Sequence, residues 1–274
     1  MTMTLQAARG ERSDRIGSRR VLIIGGGAIG RALRERLEAA GGYQIAVWSR
    51  VRGADTGGHR AVHCLDEARA FAPRLAVECA SQAAVRSLVP ALLADGVPVV
   101  LASVGALADG ETHEALRAAA GPGARVILPT GAIGGLDYLD AVAHEAELEV
   151  DYVSTKPVGA WREELHRLGV DADALDEPYT LFEGSAAEAA RRYPRNLNVA
   201  ATLALHGAGM ERTRVTVRAD PHVLANLHEV RVRSAVGSAS FRFQNLPSED
   251  NPKTSALTTL SLAAEVARFF RGAA

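Results

Sequence analysis

The sequence predicts an α/β protein in which a doubly wound parallel sheet is followed by a second, α+β domain. Three observations lead to this prediction. Short, apolar segments alternate with stretches of helical periodicity from residue 20 onward. A glycine-rich turn follows the first apolar segment directly. After about residue 131 the apolar segments give way to alternating apolar and polar residues, which is typical of a sheet with one solvated face.

The elements of the first domain follow one another in a regular order. The apolar run at 21–26 predicts a strand, and helical spacing then continues until Gly41 and Gly42 stop it. Further strands are predicted at 43–50, 75–81, 97–103 and 125–131, with helices near 82–94 and 111–120. Right-handed crossovers between parallel strands would place the helices on both faces of the sheet.

The composition is that of an ordinary globular protein. The 274 residues include 31 Lys and Arg against 32 Asp and Glu, so no charge excess would attract nucleic acid or an anionic membrane. The two cysteines, Cys64 and Cys79, are too few for a disulfide framework or a zinc site and indicate a reducing compartment. No apolar run reads as a signal peptide or a membrane span. We therefore expect a cytoplasmic protein whose partner is a small molecule.

The glycine-rich turn has the spacing G-x-G-x-x-G at Gly25, Gly27 and Gly30. Gly25 permits a tight turn, Gly27 leaves room for a pyrophosphate, and Gly30 allows the helix to approach the strand closely. Ala28 and Ile29 open the helix, whose N-terminus would face the phosphates. The turn therefore predicts a Rossmann dinucleotide-binding domain.

The end of the second strand bears on the choice between NAD and NADP. An acidic residue usually stands there to bind the ribose hydroxyls of NAD. Here the strand ends in Ser49 and Arg50, which could hold a 2′-phosphate. We therefore favour NADP, or dual use, over strict NAD. The alternative is that Arg50 is a plain surface arginine.

The second domain carries strands of alternating character at 148–156, 212–220 and 228–245. A last helix at 254–271 has apolar positions that indicate packing back on the first domain. The predicted organisation is a disordered arm at 1–19, a dinucleotide-binding domain at 20–131, a substrate and dimerisation domain at 132–250, and the C-terminal segment 251–274.

Three histidines of the second domain are candidates for proton transfer. Histidine is the side chain whose ordinary pKa suits acid–base chemistry at neutral pH. His206, His222 and His228 lie near unusual polar motifs. The residues alone do not choose among them, and a structural role remains open for each.

A set of motifs resembles the L-aspartate dehydrogenase family. Besides the glycine turn, they are VECASQAAV, LASVGALAD, PTGAIGGLD, YPRNLNVAATLAL, ADPHVLANLHEV and NLPSEDNPKTSALTTLS. The resemblance covers nearly the whole chain after the N-terminal arm. It implies an NAD(P)-dependent oxidoreductase that converts L-aspartate reversibly to oxaloacetate and ammonia through iminoaspartate and can feed NAD biosynthesis. It also implies a homodimer.

The resemblance further implies roles for single residues. His228, thirty residues after Asn198, corresponds to the family's catalytic histidine. Ala132 and Asn198 correspond to positions that contact the cofactor. No metal is expected.

The two substrate carboxylates need hydrogen-bond donors and nearby cations. Sequence context makes Lys156, Lys253, Thr254 and Ser255 candidates. The segment around Lys253 could equally be a helix start with Thr254 or Ser255 as its N-cap, and both roles could hold together.

Two other functions remain as alternatives. A related two-domain NAD(P)H imine reductase could act on another small dicarboxylate, but the basic histidine and lysine motif expected of such reductases is not found. A non-catalytic NADP-binding sensor would have no need for a proton-transfer group such as His228.

Overall fold

The computed structural model describes residues 19–194, 197–248 and 251–272. All of the predicted N-terminal arm except Arg19 lies outside these residues. The described chain divides into two compact units. The first unit contains the chain up to Ser103, Glu114–Pro129 and the chain from Thr259 onward, and the second contains Val104–His113 and Thr130–Thr258.

Six parallel strands form the sheet of the first unit, in the order β3-β2-β1-β4-β5-β6. The strands are β1 (Arg20–Ile24), β2 (Gln44–Trp48), β3 (Arg60–Val62), β4 (Leu75–Glu78), β5 (Val99–Leu101) and β6 (Val126–Ile127). The prediction of a doubly wound parallel sheet is confirmed, although it omitted the short β3. The strand order reverses between β1 and β4, where sheets of this kind bind their ligands.

Helices and one 3₁₀ turn connect these strands along the chain, and the 3₁₀ turn belongs to the second unit. They are α1 (Ala28–Ala40), α2 (Leu65–Phe71), α3 (Gln82–Ala94), a 3₁₀ turn (Val104–Ala108) and α4 (Gly110–Ala119). The last helix, α9 (Ala256–Gly272), contributes Leu262, Val266 and Phe270 to the core of the first sheet. The predicted return of this helix to the first domain is therefore confirmed.

The second unit contains a mixed five-stranded sheet in the order β11-β10-β7-β9-β8. Its strands are β7 (Glu149–Pro157), β8 (Tyr179–Ser185), β9 (Arg214–Asp220), β10 (Asn226–Ser234) and β11 (Gly237–Asn245). β7 runs antiparallel to β10 and parallel to β9. The stretch 228–245 is thus a hairpin, and the predicted mixed sheet is confirmed.

One face of this second sheet is covered by helices. They are α5 (Leu136–Val142), α6 (Val158–Arg167), α7 (Ala186–Arg192) and α8 (Asn198–His206). Their apolar side chains form a single core with the inward-facing residues of β7, β9 and β10, including Val150, Val217 and Val230. A small two-stranded sheet, β12 (Pro247–Ser248) and β13 (Asn251–Ser255), precedes α9.

Gly30 provides a test of the packing between α1 and β1. A Cβ atom at Gly30 would lie 1.9 Å from the carbonyl oxygen of Gly25, whereas the same atom at Gly26 would meet nothing within 4 Å. We expect Gly30→Ala to lower the free energy of unfolding by about 2–3 kcal/mol, because the helix must move away from the strand. Gly26→Ala, the control, should change it by less than about 0.5 kcal/mol. Urea unfolding would measure both, and equal stability of the two variants would contradict this account.

Candidate functional site

The glycine turn lies at the carboxyl end of β1, where the strand order reverses. Gly25 has a φ of 118°, a conformation that other residues rarely adopt, and the Cβ position of Gly30 is filled by the Gly25 carbonyl. Gly27 is the N-cap residue of α1 and has open space at its Cβ position. The first turn of α1, which begins with Ala28 and Ile29, holds no acidic residue. The helix N-terminus can therefore accept a pyrophosphate close to its backbone.

Ser49 and Arg50 follow β2 on the same edge of the sheet. The Ser49 hydroxyl forms a local turn, since it accepts the Val51 N–H and lies 3.1 Å from the Val51 carbonyl. The side chain of Arg50 is exposed. His63, which was not a predicted site residue, donates from Nδ1 to the Ser49 carbonyl at 2.7 Å. This bond holds the backbone of the segment that follows β2.

Ala132 and Asn198 both belong to the second unit. The Ala132 carbonyl accepts a hydrogen bond of 2.7 Å from the side chain of Asn245. Asn198 is the first residue of α8, and its Oδ1 atom accepts the Gly105 N–H at 3.0 Å. Asn198 therefore fixes the turn that follows β5. Asn196, the other asparagine of its motif, lies outside the described residues.

His228 occupies a buried position on β10 and is 4% exposed. Its Nδ1 atom lies 2.7 Å from the hydroxyl of Tyr152 on β7. The two rings are inclined by only 11° with centroids 6.0 Å apart. Nε2 is buried and has no hydrogen-bond partner among the residues that the structure describes. One ring nitrogen is thus held by a hydrogen bond, and the other has no partner in the described part of the chain.

Polar residues surround His228 on the inner face of the sheet. Backbone pairing places it opposite Ser154, and Ser154 shares this face with Lys156 two residues further along β7. Lys156 is 4% exposed, and its ammonium lies 5.5 Å from the centre of the Trp161 ring. Asn226 is 1% exposed, and its Oδ1 atom has no partner within the described chain. The inner face of the second sheet is therefore apolar at one end of β7 and β10 and polar at the other end.

Burial determines the protonation states of His228 and Tyr152. Burial, reinforced by the positive charge of Lys156, lowers the pKa of His228 from its ordinary 6.5 to about 3. Burial also raises the pKa of the Tyr152 hydroxyl well above its usual range. Both groups are therefore neutral at pH 7. Either the hydroxyl donates to Nδ1, or Nδ1 carries the hydrogen and Nε2 is free to accept a proton.

The other two candidate histidines lie elsewhere. His206 ends α8, and its Nδ1 atom lies 2.7 Å from a carboxylate oxygen of Asp140. His222 is exposed in the turn between β9 and β10. Of the three histidines, only His228 is brought together with Lys156.

Of the three predicted substrate residues near the C-terminus, the structure describes the side chain of Ser255 only. Lys253 and Thr254 lie on β13, and their side chains are not described. Ser255 is buried, and its hydroxyl accepts the N–H of Leu257 at 3.1 Å. This is the N-cap interaction for α9, so Ser255 has the helix-start role that was the alternative to substrate binding.

Two family models together match most of the chain. The model described as aspartate dehydrogenase, C-terminal, matches residues 137–269, and the one described as homoserine dehydrogenase, NAD binding domain, matches residues 25–129. L-Aspartate dehydrogenase 2 of Bordetella pertussis is 50% identical over 200 residues, which cover 73% of this chain and 75% of that protein. L-Aspartate dehydrogenase of Cupriavidus necator is 40% identical over 253 residues, which cover 88% and 94%.

This chain belongs to the L-aspartate dehydrogenase family. The solved structure of aspartate dehydrogenase from Thermotoga maritima has a TM-score of 0.72 and 31% identity, and the match covers 93% of this chain and 96% of that one. A myo-inositol dehydrogenase from Corynebacterium glutamicum, with a TM-score of 0.51 and 16% identity, shares the fold. The predicted family and oxidoreductase class are confirmed, and the cofactor is a pyridine nucleotide. In the described part of this family member, no helix is long and apolar enough to span a membrane.

The low pKa of His228 makes the stability of the protein depend on pH. Between about pH 3 and 6.5 the unfolded chain binds a proton at this residue and the folded protein does not, so the free energy of unfolding falls as the pH falls. From pH 7 to pH 5 we expect the wild type to lose about 2 kcal/mol more than His228→Gln. Urea unfolding of both proteins at the two pH values would measure this difference. The same loss in both would show that His228 is protonated in the folded state.

Proposed function

We propose that the protein is an L-aspartate dehydrogenase with His228 as its catalytic acid–base group. L-Aspartate, water and NAD(P)⁺ are converted to oxaloacetate, ammonium, NAD(P)H and a proton through iminoaspartate, and the reaction runs in both directions. The observation that carries the proposal is the buried Nε2 atom of His228 beside Lys156 and Asn226. The family relatives named L-aspartate dehydrogenase support the choice of substrate.

The first unit supplies the proposed dinucleotide site. Gly25, Gly27 and Gly30, with Ala28 and Ile29 at the start of α1, would hold the pyrophosphate, because the turn is open at Gly27 and the helix N-terminus has no side-chain cap. When bound, the cofactor supplies the hydride acceptor. Ala132 and Asn198 are proposed to contact the cofactor, on the family resemblance.

His228 is proposed to move the protons of the reaction at Nε2. In the oxidative direction it accepts a proton from the substrate amino group, or from the water that attacks the imine. The ring must have its hydrogen on Nδ1 for this step, with Tyr152 as the acceptor at 2.7 Å. The low pKa in the free protein makes His228 a weak base. A substrate carboxylate beside Lys156 would offset the lysine charge and raise that pKa.

Lys156 and Asn226 are proposed to orient the substrate. Lys156 places a buried positive charge near His228, which suits one carboxylate of a dicarboxylic acid. The Oδ1 atom of Asn226 can accept a hydrogen bond from the substrate amino group. Lys253 and Thr254 remain candidates for the second carboxylate.

We infer from the family resemblance alone that the protein is a homodimer and that it can feed NAD biosynthesis. We infer from its two cysteines, which are typical of a reducing compartment, that it is cytoplasmic.

The decisive experiment follows absorbance at 340 nm with oxaloacetate and ammonia, in parallel with NADPH and NADH. Pyruvate and 2-oxoglutarate serve as control acceptors. We expect ammonia-dependent oxidation with oxaloacetate only, and a fall in kcat of at least about 100-fold in His228→Ala. Turnover of another keto acid would favour a reductase for a different substrate. Dinucleotide binding without turnover of any of the three acids would favour the sensor alternative.

Tyr152→Phe tests whether the tyrosine hydroxyl positions His228. The variant keeps the ring and removes the hydrogen bond to Nδ1, so we expect kcat to fall about tenfold, with little change in the KM for cofactor. Tyr193→Phe is a matched control, because Tyr193 is buried in the same core and its hydroxyl donates instead to the Leu181 carbonyl. An equal effect of the two variants on kcat would assign Tyr152 a purely structural role.

Ser49 and Arg50 are proposed to favour NADP over NAD. We expect Ser49→Asp with Arg50→Ala to lower the NADPH-to-NADH ratio of kcat/KM about tenfold or more, because a carboxylate would repel the 2′-phosphate and accept the ribose hydroxyls. Arg52→Ala, which removes another exposed arginine of the same loop, is the control. An unchanged ratio in the double variant would place the ribose site elsewhere.

A further inference from the structure

Glu78 is a buried acid that the proposed chemistry does not use. It is the last residue of β4, and its exposed fraction is 0%. β4 lies beside β1, at the point where the strand order of the first sheet reverses. The carboxylate therefore lies at the edge of the sheet where a dinucleotide binds in folds of this class.

Four groups donate hydrogen bonds to the Glu78 carboxylate. Oε1 accepts the Ala80 and Ser81 N–H groups, each at 2.8 Å, and the Ser103 hydroxyl at 3.1 Å. Oε2 accepts the Ser103 N–H at 3.0 Å. Both carboxylate oxygens therefore accept a backbone N–H group. Burial raises the pKa of Glu78, and the backbone N–H groups of Ala80, Ser103 and Ser81 oppose that rise.

The carboxylate joins two chain segments that leave the sheet at neighbouring strands. Ala80 and Ser81 follow β4, and Ser81 is the N-cap residue of α3. Ser103 follows β5. The positive end of the α3 dipole also favours the negative charge of Glu78 at this place. Glu78 thus fixes both segments relative to each other.

The segment that Glu78 holds packs directly against the glycine turn. A Cβ atom at Gly25 would lie 3.0 Å from both the Ala80 Cβ atom and the Cys79 carbonyl oxygen. The sulfur of Cys79 lies 3.4 Å from the Ile24 carbonyl and 3.4 Å from the Cβ position of Gly30. A shift of residues 79–81 would therefore reach Gly25 and Gly30 directly.

We propose that Glu78 is a positioning residue for dinucleotide binding, which acts by holding residues 79–81 and Ser103 in the arrangement against which the glycine turn is packed. The inference rests on the part of the proposed function that assigns the pyrophosphate to this turn. It does not depend on which amino acid is oxidised.

Glutamine cannot replace Glu78 in this role. Each carboxylate oxygen accepts at least one backbone N–H, so a glutamine amide placed either way sets its NH₂ group against a backbone donor. The side chain keeps its size while one or more hydrogen bonds are replaced by a repulsive contact. Glu78→Gln therefore tests the acceptor pattern and not the volume of the side chain.

The experiment measures dissociation constants of NADPH and NADH by quenching of tryptophan fluorescence, with the melting temperature of each variant determined separately. We expect Glu78→Gln to raise the Kd of both dinucleotides about tenfold or more. Ser103→Ala removes only the hydroxyl donor and should raise Kd about two- to threefold with a nearly unchanged melting temperature. Val266→Ala removes buried volume from α9 in the same core and should lower the melting temperature without changing Kd.

The outcomes separate a positioning role from a structural one. If Glu78→Gln lowers the melting temperature but binds both dinucleotides as tightly as Val266→Ala does, the inference is wrong. If Glu78→Gln does not fold, Ser103→Ala decides, and an unchanged Kd in that variant overturns the inference. Because binding is measured without any amino or keto acid, a wild type that binds NADPH but turns over no oxaloacetate would refute the proposed function and leave this inference standing.

Discussion

The register between β7 and β10 is the constraint on which the second unit depends. Side chains alternate between the two faces of a strand, so a slip of one residue would exchange the core face for the solvent face. Val150 and Val232, which are paired across the two strands, belong to the core under the helices. Their burial fixes the register that places His228 opposite Ser154 and beside Tyr152. The apolar residues at one end of β7 and β10 thus determine the positions of His228 and Tyr152 at the other end.

That polar end costs stability. A buried imidazole and a buried amide oxygen have given up water, and among the described residues Nε2 of His228 and Oδ1 of Asn226 have no hydrogen-bond partner. Tyr152 satisfies one nitrogen of His228, and Trp161 faces the Lys156 ammonium. A polar ligand could supply hydrogen-bond partners for Nε2 of His228 and Oδ1 of Asn226. The cost in stability and the capacity to bind a polar ligand therefore have the same physical origin in this unit.

Much of the fold could be predicted because its signals are local. The glycine spacing, the buried parallel strands and the apolar face of α9 are each visible in a short window of sequence. β3 was missed because it has three residues, of which Arg60 and Ala61 are exposed. The two roles open for Ser255 could not be separated either, since a serine before a helix has the same sequence pattern in both.

The site was harder to predict because it depends on contacts between distant segments. His228 was chosen over His206 and His222 by the family resemblance, and only the fold shows that it lies beside Tyr152, 76 residues away in sequence. In the sequence, Tyr152 has the pattern of an ordinary core residue within a strand of alternating character. In the sequence, Glu78 is a single charged residue at the end of an apolar run. The four hydrogen bonds that its carboxylate accepts become apparent only when β4 and β5 are paired.

The position of α9 at the end of the described sequence affects how the chain folds during synthesis. The first sheet takes Leu262, Val266 and Phe270 from a helix that follows the whole second unit in sequence. On the ribosome, the N-terminal segment therefore emerges with an apolar surface that its own residues cannot cover. The second unit contains all its strands before α9 is made and can fold first. The nascent dinucleotide-binding unit is then exposed to chaperones and proteases until the last helix has left the exit tunnel.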